Sequence, residues 1–207
     1  YKMQKRWLET GLPAKLKALK KLQNENAPPR ALFIFRRDMR LFDNTALLAA
    51  AKSFSVSPIF ILTPEQVNNN SFKSSNCIQF MVNCLTDLQQ QIEREGGKFY
   101  VFYGEIIEVL DGIYSSNKIS AVFFNKDYTP YSLKRDNAIQ VWAEKKNLQF
   151  YSYHDVILID DFDQVKSNNG TPYFLFSHFF NKASSIIKRK CDFEKVKYWA
   201  TLEVNSL

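Results

Sequence analysis

From residue 31 to residue 153 the chain alternates five short apolar runs with amphipathic stretches, and no other feature restricts its fold as much. The runs at 31–35, 56–62, 99–103, 121–125 and 149–153 are rich in Ile, Val, Phe and Tyr, as strands covered on both faces require. Helical patterns fill the gaps at 44–52, 77–95, 105–114 and 132–146. In 77–95, Ile78, Met81, Val82, Leu85, Leu88 and Ile92 recur at helical spacing, and Gly96-Gly97 then stops the pattern. Asp43 or Asn44 is placed to cap the helix that follows. Strand–helix–strand units cross over right-handed and build parallel sheets. The expected class is therefore α/β, a five-stranded parallel, doubly wound, Rossmann-like sheet. Residues 63–75 read as a polar loop, 172–180 as an aromatic-rich stretch, and 184–207 as a short basic helix with a trailing segment.

The net charge of +7 is uneven: residues 1–30 carry eight Lys or Arg against two Glu, so the rest is nearly neutral. Residues 1–30 form a basic arm in which Trp7, Leu8, Leu12, Leu16, Leu19 and Leu22 repeat at helical spacing. Such an arm either docks on its own domain or meets phosphates, a partner or a membrane surface. No apolar run reaches membrane-spanning length and no secretory leader is visible, so an intracellular, non-secreted protein without a membrane partner is expected. Cys77, Cys84 and Cys191 are odd in number and lack metal-ligand spacing, which reads as reduced thiols. The chain opens on Tyr1 rather than Met, and is read as part of a longer gene product.

Charge crowds where the first strand ends. Arg36-Arg37-Asp38-Met39-Arg40 follows the first apolar run, and Asp43-Asn44 opens the next helix. Open α/β sheets place ligands at the carboxyl ends of their strands. Arg36 and Arg37 offer guanidinium forks suited to a phosphate or a ring oxygen. The alternative is bracing, with Arg37, Asp38, Arg40 and Asp43 forming a salt-bridge cluster. The segment Asn125-Lys126-Asp127-Tyr128-Thr129-Pro130-Tyr131 follows the fourth strand and so reaches the same edge. It also reads as a rigid turn into a helix.

Several nucleotide-fold chemistries are excluded. The turn after the first strand has no glycine, so the dinucleotide fingerprint is missing, and no phosphate loop or nucleophile elbow occurs. His154 and His178 are too far apart for a relay and read as structural; Trp7, Trp142 and Trp199 read as packing residues. No catalytic residue and no metal site is assigned.

The stretch Phe35-Arg-Arg-Asp-Met-Arg-Leu-Phe-Asp-Asn-Thr-Ala-Leu47 resembles the opening motif of the DNA photolyase/cryptochrome family. Pro58-Ile-Phe-Ile-Leu62, Tyr103-Gly-Glu105, Phe124-Asn-Lys-Asp-Tyr-Thr-Pro-Tyr131 with Arg135-Asp136, and Gly170-Thr-Pro-Tyr-Phe-Leu-Phe-Ser-His-Phe-Phe180 are similar in order and spacing. The resemblance implies the family's N-terminal antenna domain over residues 31–160. Residues 161–207 are then a linker toward a helical FAD-binding domain that is absent here. It implies a flavin or deazaflavin chromophore in preference to folate, or an empty pocket, with FAD only in the absent half. Bordering residues would be Arg36, Arg37, Leu62, Thr63, Asp127, Tyr128 and Tyr131. Thr63 and Thr129 stand where flavin-type members carry acids, which removes two polar partners.

The function expected is an antenna domain of a deoxyribodipyrimidine photolyase-like DNA repair protein, inactive by itself. Its partner would be the FAD domain in cis or in trans, with DNA met only weakly or through the arm. The second reading is a stand-alone ligand-binding or interaction module without repair activity.

Overall fold

The computed structural model describes residues 28–68, 74–159 and 162–204. The basic arm, apart from residues 28–30, and Trp7 lie outside the described residues. Five strands form one parallel sheet: β1 (Arg30–Ile34), β2 (Ser55–Leu62), β3 (Tyr100–Tyr103), β4 (Ala121–Asn125) and β5 (Gln149–Tyr153). Their order is β3-β2-β1-β4-β5, so the chain moves outward from β1 in one direction and then returns to the other side. That reversal lies between β1 and β4. The five-stranded, doubly wound expectation is met.

Alternation along the central strands explains both layers. Ala31 and Phe33 of β1 and Ala121 and Phe123 of β4 face one core, where α1 (Thr45–Ala51) supplies Ala46, Leu47 and Ala50. The intervening Leu32, Ile34, Val122 and Phe124 face the other core. The long α3 (Ser75–Arg94) buries Leu85, Leu88 and Ile92 on the first face. On the second, α4 (Ile106–Ser116) buries Val109, Leu110 and Ile113, while α5 (Pro130–Lys145) adds Ile139, Trp142 and Ala143. Burying a single Leu or Phe side chain contributes about 1.5–3 kcal/mol, so these two layers dominate the folding free energy. Trp142 is buried and its indole N–H donates to Asp111 at 3.0 Å, the packing role expected for it.

Three stretches differ from the sequence expectation. The polar loop at 63–75 contains a short helix, α2 (Pro64–Val67), with Pro64 at its first position, where a missing N–H costs nothing. The C-terminal helix, α6 (Phe176–Ser184), is formed by the aromatic-rich stretch rather than by the basic residues after 184. Its spacing of Phe176, Phe179, Phe180 and Ala183 is helical, whereas Lys188-Arg189-Lys190 has no apolar stripe to match. Finally, the linker expected over 161–207 includes residues that return to the sheet. Val56 N–H donates to Tyr198 O at 2.9 Å and Ala200 N–H donates to Val56 O at 2.8 Å. Val196 and Leu202 are buried in the first and second cores. Asn117 closes the segment by pairing with both backbone groups of Glu203.

Gly97 lets this return happen. A Cβ there would lie 2.7 Å from Ile92 Cγ2 and 2.7 Å from the Trp199 ring. Gly97→Ala is expected to push the indole outward and cost about 1–3 kcal/mol, as overpacking does. Calorimetry should read this as a lowered Tm, and an unchanged Tm would contradict the close packing. Among the described residues no helix is long and apolar enough to cross a membrane.

Candidate functional site

The β1–β4 reversal leaves a crevice at the carboxyl ends of the strands, and the chain has a cavity of about 1180 Å³ there. Ligand pockets commonly measure about 300–1,000 Å³, so the space is ample for a small organic molecule. One wall is apolar: Phe60 and Ile61 from β2, Phe80 and Met81 from α3, and Ile106 at the head of α4. Ile34 and Phe35 contribute at the end of β1. Polar groups come from the loops after β1 and β4 and from the α2 turn. This pairing of an apolar wall with a few polar groups suits a flat organic ring.

The arginines of the β1 loop are held differently from one another. Arg36 is almost buried and meets Asp136 with both terminal nitrogens, at 2.9 and 2.7 Å. Its guanidinium also donates to Asn125 O and stacks 3.7 Å from the Phe124 ring centroid. Burial, then neighbouring Arg135, lowers its pKa to about 10 against the pull of Asp136, so it stays charged at neutral pH. Arg37, by contrast, is largely exposed and stands 3.7 Å from Asp127. Burial pushes Asp127 upward, but hydrogen bonds from the Ser132 hydroxyl and the Tyr128 N–H, with Arg37 nearby, outweigh it and leave the carboxyl below its ordinary pKa.

The carboxylates of Asp38 and Asp43 take other partners than the guanidinium groups of their own loop, although Arg40 donates to the Asp43 carbonyl at 2.6 Å. Asp38 is buried and accepts from Arg36 N–H at 2.8 Å and from Asn125 Nδ2 at 2.6 Å; burial raises its pKa. Arg40 reaches Asp155 at 2.8 Å, and Asp43 accepts from Arg189 and from Asp192 N–H. The loop is thus braced from outside, by β4, by α5 and by residues after β5, rather than as a self-contained salt-bridge cluster. Asn44 is the cap of α1, its side chain accepting from Leu47 N–H.

The family model for DNA photolyase matches residues 31–197, most of the chain. The chain belongs to the DNA photolyase family. A deoxyribodipyrimidine photo-lyase of Synechococcus sp. is 27% identical over 150 residues, covering 72% of this chain and 31% of the relative. Cryptochrome-1 of Aedes aegypti is 28% identical over 161 residues, with 74% and 29% covered. A crystal structure of an archaeal photolyase from Sulfolobus tokodaii, described with two FAD molecules and a novel light-harvesting cofactor, superposes with a TM-score of 0.72. It is 32% identical, and the match covers 83% of this chain and 38% of that one. A Synechocystis cryptochrome shares the fold at a TM-score of 0.74 and 20% identity. This photolyase-family chain therefore spans about a third of the length of the curated relatives it matches, and its α/β sheet is that of their N-terminal domains.

Of the site residues expected from the family motifs, Arg36, Arg37, Thr63, Asp127 and Tyr131 come together around the cavity. Leu62 and Tyr128 lie outside the lining formed by the described residues. Leu62 packs on the first core. Tyr128 stacks on His154 and its hydroxyl meets His154 Nδ1 at 2.6 Å, which also gives His154 a structural role. Both threonines at the family's acidic positions are engaged within the protein: Thr63 with the Tyr131 hydroxyl at 3.2 Å, Thr129 as the cap of α5. Sequence reasoning missed the apolar wall. Met81 belongs to the helical stripe of α3 and Cys84 lies beside it, but only the register of that helix on the sheet makes them cavity residues.

Proposed function

We propose that the cavity holds a planar antenna chromophore, flavin or deazaflavin in type, and that the chain is the light-harvesting part of a photolyase. The observation that carries this reading is the 1180 Å³ cavity at the strand reversal, apolar on one wall and polar at its rim. The residues present fit a flat ring. Phe60, Ile61 and Met81 supply a face for it, Tyr131 supplies an aromatic edge, and Arg37 and Glu65 supply charge at the rim. Arg36 lines the floor of the cavity, anchored by Asp136, with its Nε lacking a hydrogen-bond partner within the protein. When bound, such a ring absorbs near-ultraviolet or blue light and passes the excitation on. Catalytic flavin and DNA repair then belong to the family's helical half, supplied by further polypeptide in cis or in trans. An exposed aromatic face, with Phe174, Leu175, Phe176 and Phe180 open to solvent around α6, supports a protein partner of that kind.

The test is fluorescence titration of riboflavin with the purified chain. Quenching that saturates is expected. Met81→Trp, which fills the apolar wall, should weaken binding about tenfold or more, equivalent to about 1.4 kcal/mol. Met81 is only partly buried, so the fold should survive. No quenching by the unaltered chain, or equal affinity in the variant, would overturn this reading.

A further inference from the structure

Thr63 and Tyr131 meet across the cavity, and the sheet order makes that meeting informative. Thr63 follows β2 and Tyr131 follows β4, while β2 and β4 flank β1 on opposite sides. Neighbouring strands lie about 4.8 Å apart, so residues from β2 and β4 that touch must span about 10 Å over the end of β1. The contact between the two hydroxyl oxygens, at 3.2 Å, therefore lies above the end of β1, where Phe35 and Arg36 line the cavity. Thr63 is 5% exposed and Tyr131 is 39% exposed, so the phenol is the outer member and the threonine the inner one.

Each end of this bar is fixed. Thr63 N–H donates to Gln66 Oε1, holding the turn of α2. Tyr131 sits at the second position of α5, behind Pro130, and its ring lies 5.6 Å from the Arg135 guanidinium. Only the link between the ends is weak, being one neutral hydrogen bond with an exposed partner. An acidic side chain at residue 63 would only accept hydrogen bonds; the hydroxyl present can give or take one, and here it is matched to a second hydroxyl.

We propose that the Tyr131–Thr63 hydrogen bond is a latch over the end of β1 that must part before a flat heteroaromatic ring enters the cavity. Tyr131 then governs admission to the site through its hydroxyl, in addition to the edge that its ring lends the cavity. The proposal rests on the reading of the cavity as a ring-binding site. It is tested on the full chain by stopped-flow mixing with riboflavin, which carries no phosphate and so isolates the latch from charge effects. Tyr131→Phe keeps the ring and removes the bond; Thr63→Val does the same from the other side.

Each variant is expected to raise the association rate about 3- to 10-fold, the range that one neutral hydrogen bond accounts for. The double variant should gain nothing further, because both changes break one shared bond. Equal rates in all four proteins, slower rates, or gains that simply add would overturn the latch while leaving the cavity reading intact. Absence of binding in every protein would overturn both.

Discussion

Replacing Arg36 by alanine is expected to destabilise the chain by about 3 kcal/mol, whether or not any ligand is present. The guanidinium donates one hydrogen bond to Asp136 and holds its other oxygen at ion-pair distance, donates to Asn125 O and covers the Phe124 ring. Removing one partner of a buried ion pair leaves the other charge without compensation, which typically costs about 3–5 kcal/mol. The lower end applies here because Arg135 Nε remains 3.2 Å from Asp136 and keeps part of the compensation. Arg36→Lys should recover little, since an ammonium cannot form the paired contact or stack on the ring. Urea unfolding followed by circular dichroism measures both variants. A loss under about 1 kcal/mol for Arg36→Ala would show that the ion pair does not hold the loop.

Asn125→Ala should be as damaging for a different reason. Asn125 ends β4 and is buried, with Nδ2 donating to Asp38 at 2.6 Å and to Asn44 at 2.8 Å. Its Oδ1 accepts from Ala46 N–H in the first turn of α1 at 3.0 Å. One side chain thus joins β4 to the β1 loop and to the head of α1. Truncation takes one of its donors from the buried Asp38 and leaves the buried Ala46 N–H without its acceptor, and the expected cost is about 2–4 kcal/mol. Asn125→Asp is nearly the same size yet should be no better, because it sets a second carboxylate against Asp38. Chemical denaturation again reads the result. A near-neutral Asn125→Asp would mean that the network tolerates charge, and would sink the account.

Much of the fold could be read from the chain. Strands covered on both faces must be apolar throughout, and residues 31–35 and 121–125 announce that directly. The return of residues 196–202 was not readable, because Val-Lys-Tyr-Trp-Ala-Thr-Leu has no clean period and its pairing with Val56 is far away in sequence. That Arg37, Asp127 and Tyr131 share one edge was legible because they follow strands whose carboxyl ends meet there. The fate of Arg36 was not. Whether an arginine after a strand is also anchored by an aspartate depends on α5, which brings Asp136 under it. The orientation of Tyr128 was not readable for a similar reason, since its ring turns toward His154 of the segment after β5.

The return of residues 198–200 also bears on where this domain can be cut. β3 pairs with β2 only from Ile59 onward, and Pro58 offers no N–H to a neighbour. Residues 198–200 occupy the remaining length beside Val56. A chain truncated near residue 160 would leave the Ser55–Ser57 stretch of β2 unpaired on that side, a short edge open to pairing with another molecule. A chain that keeps residues through 203 shields it. A shortened form of this domain is therefore compatible with a clean α/β fold only when the break falls beyond this last contact.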